Sequence, residues 1–281
     1  MIHDSIYPSI YNSESYLKTK TFILELEKKY GYEPELKYIL LDKSFSNDDL
    51  DFFKKELSTL VKNYGFNIIY ESESKSYYDA ITVGELSEWF KKMYLENHFI
   101  WMENNFLKQI DLRKLNELKN HDQLINNYRL TIEKTLELDS IQKNQSYDIL
   151  HRAFFENLST LYSITRKYDY YPTAKSFALI QNSFGVVEYH NYQAKPNFEK
   201  TWILFYPFYK EAYLKNEIDY IEFKNYDNWS FIHYKKIKFD LINVEEIPLQ
   251  FNPDLLKIAP IIDPIYKDEI WKEFGWKNNK Q

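Results

Sequence analysis

The amino-acid sequence predicts an α+β fold with an N-terminal βαβ-like unit, a central helical region and a C-terminal antiparallel sheet with short terminal helices. Three observations lead to this prediction. Residues 85–171 contain neither glycine nor proline, and the segment before them alternates short apolar runs with amphipathic stretches. After Pro172 the apolar period changes from about 3.6 residues to about 2. We therefore expect an α/β unit at 1–83, a helical region at 84–171 and an antiparallel β-rich region at 172–281, compatible with one continuous domain.

The N-terminal unit is predicted from caps and apolar runs. Ser13 is a preferred capping residue for a helix that ends near Tyr30, where Gly31 can close it. Apolar runs at 36–41 and 66–70 are predicted strands, and they flank an amphipathic helix that begins near Ser46 and is closed by Gly65. A strand, helix and strand of this length predict two parallel strands joined by a right-handed crossover. A third short strand is predicted at 80–82.

The middle of the chain is predicted to be consecutive helices. Thr82 and Glu85 have the spacing of a capping box. The helix that they open is followed by helices predicted at 105–118, 122–138 and 146–168. We expect the apolar stripe of each helix to face the core. In the first helix this stripe comprises Leu86, Trp89, Phe90, Met93, Ile100 and Trp101.

The C-terminal third is predicted to form a sheet. Strands are expected at 177–181, 186–192, 201–206, 218–224 and 230–242, with residues 182–185 as a hairpin connection. Residues 236–241 alternate polar and apolar side chains, which is typical of a strand with one wet face. Asn252-Pro253 and Asp263-Pro264 each place a capping side chain before a proline, so short helices are predicted to finish the chain, with Gly275 closing the last.

Composition excludes several classes of function. The 281 residues include 32 Lys but only 4 Arg, and the net charge is −6. Scarce arginine and an acidic balance disfavour sequence-specific DNA recognition. No apolar run approaches the ~20 residues of a membrane span, so we expect no membrane partner. The chain has no Cys, which excludes disulfides and thiolate chemistry and fits a cytoplasmic location.

One hypothesis for function is a metal-dependent enzyme acting on nucleic acid or a nucleotide through a dispersed carboxylate site. Asp42 follows a predicted parallel strand, at the edge where α/β sheets bind ligands. Glu222 and Lys224 have an acid-x-Lys spacing used with Mg²⁺ in nucleases, and Asp219 or Glu199 could add a carboxylate. Acid-x-Lys occurs five times in the chain, so the spacing has little specificity.

No resident cofactor or metal is predicted. Glycine-rich phosphate-binding loops are missing from the sequence, and the six His residues are each at least 23 positions apart.

A second hypothesis concerns the aromatic segment 189–239, which holds sixteen aromatic residues and eight Lys. Such side chains can stack on unpaired bases or give a protein-binding surface large contact area. The residues predicted to bind a partner are Tyr226, Trp229, Tyr234, Lys235, Lys236 and Lys238.

The sequence favours the second hypothesis. We expect a non-enzymatic macromolecule-binding protein of inhibitor, immunity or counter-defence type that acts by surface complementarity. Its expected partner is another protein or a ribonucleoprotein, with single-stranded nucleic acid as the second choice.

Overall fold

The described part of the computed structural model, residues 13–179 and 184–276, is helical rather than α+β. The α+β prediction is wrong. These residues contain no β-sheet, and their strand-like pairing is limited to an isolated parallel bridge between Ile237 and Ile261. Both the N-terminal βαβ-like unit and the C-terminal antiparallel sheet are replaced by helices, 3₁₀ turns and irregular segments.

The chain divides into two compact units. Unit 1 comprises residues 1–114 and 172–181, and unit 2 comprises residues 115–171 and 182–281. The predicted boundaries after residues 83 and 171 separate folding domains. The two compact units do not test such boundaries, so they stay predictions. The helices of unit 1 are α1 (Ser13–Tyr30), α2 (Pro34–Ser46), α3 (Leu50–Tyr64), α4 (Tyr78–Thr82), α5 (Ser87–Asn104) and the first part of α6 (Phe106–Thr135).

Unit 2 continues the helical pattern to the C-terminal part of the chain. Its helices are the remainder of α6, then α7 (Ser140–Tyr168), α8 (Gly185–Gln193), α9 (Lys195–Leu214), α10 (Ile221–Tyr234) and α11 (Pro264–Phe274). Three 3₁₀ turns lie between the last two helices, at Val244–Glu246, Leu249–Phe251 and Pro253–Ile258.

Several local predictions are confirmed. The middle of the chain is helical, although the helices predicted at 105–118 and 122–138 are one helix, α6. Gly65 and Gly275 adopt left-handed conformations at the ends of α3 and α11. Asp263 accepts a hydrogen bond from the Tyr266 amide at the start of α11, as its position before Pro264 predicts. Two other cap predictions are wrong, because the Thr82 hydroxyl donates to the Tyr78 carbonyl within α4 and Asn252 makes no side-chain capping hydrogen bond before Pro253.

The segment predicted as the first strand, residues 36–41, lies inside α2. Pro34 occupies the first turn of that helix, where its missing N–H leaves no hydrogen bond unmade. Leu36, Leu40 and Ser44 are buried at helical spacing. A short apolar run does not distinguish a strand from a buried helical face, so the proline is the more informative signal.

The other two predicted strands of the N-terminal unit are absent as well. The second of them, at 66–70, is irregular apart from one 3₁₀ turn, and residues 80–82 lie in α4.

The strand predicted at 201–206 is the centre of α9. A proline inside a helix costs roughly 3 kcal/mol or more, and Pro207 lies within this one. Burial of each large apolar side chain contributes about 1.5–3 kcal/mol, which offsets that cost. The buried side chains of α9 recur every three or four residues, at Phe198, Thr201, Trp202, Phe205, Phe208, Tyr209 and Ala212.

The alternating segment 236–241 is irregular, with Asp240 at a positive φ of 60°, and its pairing is limited to the isolated bridge between Ile237 and Ile261. Ile237 and Phe239 are buried, as alternation predicts. The backbone N–H groups of residues 238, 239 and 241 donate instead to the carboxylate of Asp227 on α10, at 2.7, 2.9 and 2.9 Å. One buried carboxylate therefore supplies the acceptors that a neighbouring strand would have provided.

The remaining C-terminal strands are also corrected. Residues 186–192 lie in α8, while residues 218–224 and 230–242 are divided between α10 and irregular backbone. The strand predicted at 177–181 and the hairpin predicted at 182–185 fall partly on residues 180–183, outside the described residues, and 177–179 are not strand.

Candidate functional site

Two of the predicted binding residues, Tyr226 and Trp229, lie in the core of unit 2. They are only 8% and 7% exposed. The ring of Tyr226 stacks 5.0 Å from that of Phe198, and Trp229 meets Tyr189 edge to face at 5.6 Å. Their contact area is used inside the unit, so their aromatic faces are not available to a partner.

Lys238, predicted to bind a partner through its charge, has its ammonium group among aromatic rings of unit 2. The Nζ atom lies 4.9 Å from the ring centre of Tyr266 and 5.5 Å from that of Tyr206. Burial lowers the pKa of Lys238 below its ordinary value. Cation–π attraction to these rings compensates part of the lost hydration, which gives this lysine a structural role.

The other predicted binding residues are divided between structure and surface. Lys235 closes α10 in a left-handed conformation, and its Nζ donates to the carbonyl of Phe251 at 3.2 Å. Tyr234 and Lys236 are exposed. The six residues therefore do not form one exposed cationic and aromatic face.

Asp42, the centre of the predicted strand-edge site, lies on α2 of unit 1. Its Oδ1 accepts hydrogen bonds from the backbone N–H and the hydroxyl of Ser76, both at 2.7 Å. This carboxylate ties the segment before α4 to α2. No strand precedes it, so the geometric reason for expecting a ligand there does not apply.

The remaining carboxylate candidates belong to unit 2 and have separate partners. Asp219 accepts a hydrogen bond from the Ile221 amide at 2.8 Å at the start of α10. Lys224 pairs with Glu246 at 2.7 Å. Part of Glu222 reaches solvent, but its carboxyl group is enclosed by protein. The structure thus pairs neither Asp219 nor Glu222 with Lys224.

Glu222 belongs instead to a buried carboxyl cluster with Glu188 of α8. Burial, and then the charge of Glu188, hold the pKa of Glu222 well above its ordinary range. Burial raises the pKa of Glu188 to about 7, although hydrogen bonds from Tyr209 and Tyr171 act against that rise. The Tyr171 hydroxyl donates to Glu188 Oε2 at 2.8 Å, and Tyr209 donates to Oε1. The cluster is suited to retaining a proton near neutral pH.

Metal binding gains no support from the geometry. Within residues 13–179 and 184–276, no group of three or more His, Cys, Asp or Glu side chains could hold a metal ion. The same residues contain no helix long and apolar enough to cross a membrane.

An exposed apolar surface lies on unit 1, where α5 ends and α6 begins. We call it the patch. Six large apolar side chains within 16 residues expose between 45% and 67% of their surface. Single exposed apolar residues are ordinary, whereas a group of them close together in the chain is a candidate interaction site. The patch comprises Leu95, Phe99, Ile100, Phe106, Leu107 and Ile110.

Local structure explains why these side chains face outward. The opposite face of α5 buries Phe90, Met93 and Trp101. The ring of Trp101 occupies the space beside Gly65, where a Cβ would come within 2.4 Å of two of its atoms. Asn105 interrupts the helix, and its side-chain amide donates to the Trp101 carbonyl at 2.8 Å. Burial of these side chains fixes the rotation of α5 about its own axis, and this leaves its remaining apolar side chains exposed.

An open depression of about 550 Å³ adjoins the patch at Leu95. It lies between α4 and α5, and its walls include Ile81, Phe90 and Tyr94, with Lys91 among the polar groups. A depression with apolar walls beside an exposed apolar surface can receive an anchoring side chain from a partner.

The sequence contains a signal for the patch that the stripe analysis of α5 overlooks. Ile100 is predicted to be core, yet it is 59% exposed, whereas Leu86, Phe90, Met93 and Trp101 are buried as expected. This helix carries more apolar residues than one buried stripe can use. Leu95 and Phe99 lie outside the predicted stripe, and Ile100 lies on the stripe but is exposed near its C-terminal end.

Comparison with known proteins adds no candidate. The chain matches no protein-family model, and no curated protein or solved structure is significantly similar to it.

Proposed function

We propose that the chain is a non-enzymatic protein-binding protein and that the patch on unit 1 is its binding surface. The observation that carries the proposal is the exposure of six large apolar side chains on two consecutive helices. Burying an apolar surface of this kind is the main favourable contribution to most protein association. The depression beside Leu95 supports it by offering a receptor for a partner's side chain.

The chemistry of the patch favours a protein over nucleic acid. Between residues 95 and 110 the charged side chains are Glu96, Glu103 and Lys108, so the segment has a net charge of −1. Phosphate backbones require clustered cations, whereas an apolar protein surface does not. An inhibitor, immunity or counter-defence protein acting in the cytoplasm would have such a surface, and we retain that role as part of the proposal.

The proposal is tested by affinity purification with a patch variant, Phe99→Lys and Ile110→Lys. Tagged wild-type chain expressed in its own cells should retain a partner in near-stoichiometric amount. The patch variant should retain at least tenfold less, because two charges placed in an apolar contact must be desolvated. Quantitative mass spectrometry of the eluates measures the ratio.

The matched control is Thr21→Lys and Asn63→Lys, at exposed polar positions of α1 and α3 in unit 1 and outside the patch segment. It adds the same charge without removing apolar surface, and it should retain the partner. Equal retention by the patch variant and this control would refute the assignment of the surface. Circular dichroism establishes that both variants are folded.

A further inference from the structure

A second exposed structure lies on unit 2, where α6 and α7 form an antiparallel pair. Near its base the side-chain amide of Asn157 donates to the Leu118 carbonyl at 3.1 Å. Further out, Tyr147 interacts with Glu133 and Arg129. The two helices are joined by residues 136–139, and Asp139 caps α7 through a capping box with Gln142. We call residues 123–149 the arm.

The arm has no core of its own. None of its 27 residues is buried. Six large apolar side chains are exposed on it, by between 36% and 70%. A pair of helices gains most of its stability from packing an apolar face against other structure, and each of these side chains leaves at least 36% of its surface outside such packing. The exposed apolar residues of the arm are Leu124, Tyr128, Leu136, Ile141, Tyr147 and Ile149.

We propose that the arm is a self-association surface and that its occupant is the arm of a second copy of this chain. Two antiparallel helix pairs can combine into a four-helix bundle, in which the facing apolar residues become a shared core. A twofold arrangement uses the same surface on both copies. This proposal is independent of the function assigned to the patch.

The apolar area of the arm is sufficient for a specific dimer. At the exposures given above, six side chains of this size present on the order of 600 Å² per copy, and a pair would bury about 1,200 Å². That total is at the lower end of the range for specific protein interfaces. An identical chain is also present whenever this protein is made, which suits an element that requires a partner for its own packing.

The charge of the arm permits two copies to approach each other. The whole chain has a net charge of −6, but the arm itself has three cationic and four acidic side chains, a net charge of −1. Like-charge repulsion between two arms is therefore small. The charged residues are Arg129, Lys134 and Lys143 against Glu133, Glu137, Asp139 and Asp148.

Sedimentation velocity of the purified full-length chain tests the proposal over a concentration series that reaches the high-micromolar range. Wild-type chain should sediment as a dimer that dissociates on dilution. The arm variant Leu124→Glu and Ile141→Glu should be monomeric, with a dissociation constant raised at least about 100-fold. The control Asn127→Glu and Gln145→Glu adds the same charge at exposed polar positions of the arm and should still form the dimer.

The outcomes separate this proposal from the function of the patch. A wild-type chain that stays monomeric throughout the series, or an arm variant that dimerises as well as its control, overturns the self-association. The patch variant Phe99→Lys and Ile110→Lys should lose its partner and remain dimeric. If the patch variant becomes monomeric, the dimer forms through the patch instead of the arm, and the arm proposal fails.

Discussion

One buried cluster in each unit shows a different way of enclosing ionisable groups. In unit 1 the ammonium group of Lys37 is 2% exposed and lies 2.9 Å from Glu27 and 3.2 Å from Glu56. The hydroxyl of Tyr32 also donates to Glu56, at 2.8 Å. Unit 1 thus encloses a cation with its counter-ions, and burial of each charge is compensated by another charge.

Unit 2 contains a buried pair of carboxyl groups, Glu188 and Glu222, that is compensated without a cation. Glu188 accepts hydrogen bonds from the hydroxyls of Tyr171 and Tyr209, Glu222 interacts with the Asn225 side chain, and burial raises the pKa values of both carboxyl groups. Here a proton provides the compensation. The difference teaches that the Lys37 cluster of unit 1 depends on ion pairing, while the contribution of the Glu188 cluster of unit 2 depends on pH near neutrality. Among the described residues of either unit, the buried charged groups surround no substrate cavity. They therefore account better for the stability of the fold than for catalysis.

The largest effect should come from removing the cation of unit 1. Lys37→Met leaves Glu27 and the buried Glu56 without their counter-charge, which we expect to reduce the free energy of unfolding by about 3–5 kcal/mol. Urea denaturation measures the loss. Lys55→Met is the control, because Lys55 lies 3.9 Å from the same Glu56 but its side chain is 76% exposed, and its loss should be under ~0.5 kcal/mol. Equal losses would contradict the account of the ion cluster.

The next effect concerns Asp227, a buried carboxylate of unit 2 compensated by backbone N–H groups. Burial raises its pKa to about 6, while hydrogen bonds from the backbone at residues 238, 239 and 241 oppose the rise. Asp227→Asn replaces an acceptor by a donor and should cost about 2–3 kcal/mol at pH 8. Urea denaturation at that pH measures it, with exposed Asp254→Asn as control. A loss no larger than that of the control would show that the loop does not depend on this carboxylate.

A smaller effect should appear as a change with pH. The folded-state pKa of Glu188 is about 7, above the ordinary value of about 4.3. The folded state therefore binds its proton more tightly, and stability falls as pH rises from about 4.3 through 7. Glu188→Gln cannot lose a proton, so relative to wild type it should gain about 2 kcal/mol between pH 5 and pH 8. Denaturation at a series of pH values measures the gain.

Two profiles that run parallel between pH 5 and pH 8 would contradict the role of the proton. Glu245→Gln, at an exposed position, provides the expected parallel control.

The smallest effect should come from a tyrosine of the carboxyl cluster. Tyr171→Phe removes the hydroxyl that donates to Glu188 at 2.8 Å. Since that hydrogen bond lowers the pKa of Glu188, its loss should raise the pKa further and cost about 1 kcal/mol at pH 8. The cost should be smaller at pH 5, where the carboxyl is protonated. Denaturation at the two pH values compares them, and a larger cost at pH 5 would argue against this hydrogen bond.

Much of the helical middle could be predicted from the sequence, because local signals decide it. The run without glycine or proline predicts the helical middle. The cap before Pro264 and the left-handed Gly65 and Gly275 mark helix ends elsewhere in the chain, and each depends on only a few residues. Fold class could not be predicted in this way. The apolar run at 36–41 is short enough to fit a strand or a helix.

The errors in the C-terminal third have a tertiary origin. Pro207 argues locally against a helix, and only the packing of aromatic side chains on α9 overrides it. Alternation at 236–241 correctly predicts the burial of Ile237 and Phe239, but the acceptors for this backbone come from Asp227, more than ten residues away. The prediction that Tyr226 and Trp229 bind a partner fails for the same reason, because both rings pack against aromatic side chains within unit 2.

The central claim is that the chain works through its exposed apolar patch and not through its carboxylates, and one comparison of partner retention tests it most directly. The carboxylate variant Asp42→Asn, Asp219→Asn and Glu222→Gln is purified from its native cells beside the patch variant. The account predicts that the carboxylate variant keeps its partner and its cellular effect while the patch variant loses both. Loss of the effect in the carboxylate variant alone, with the partner still bound, would contradict it.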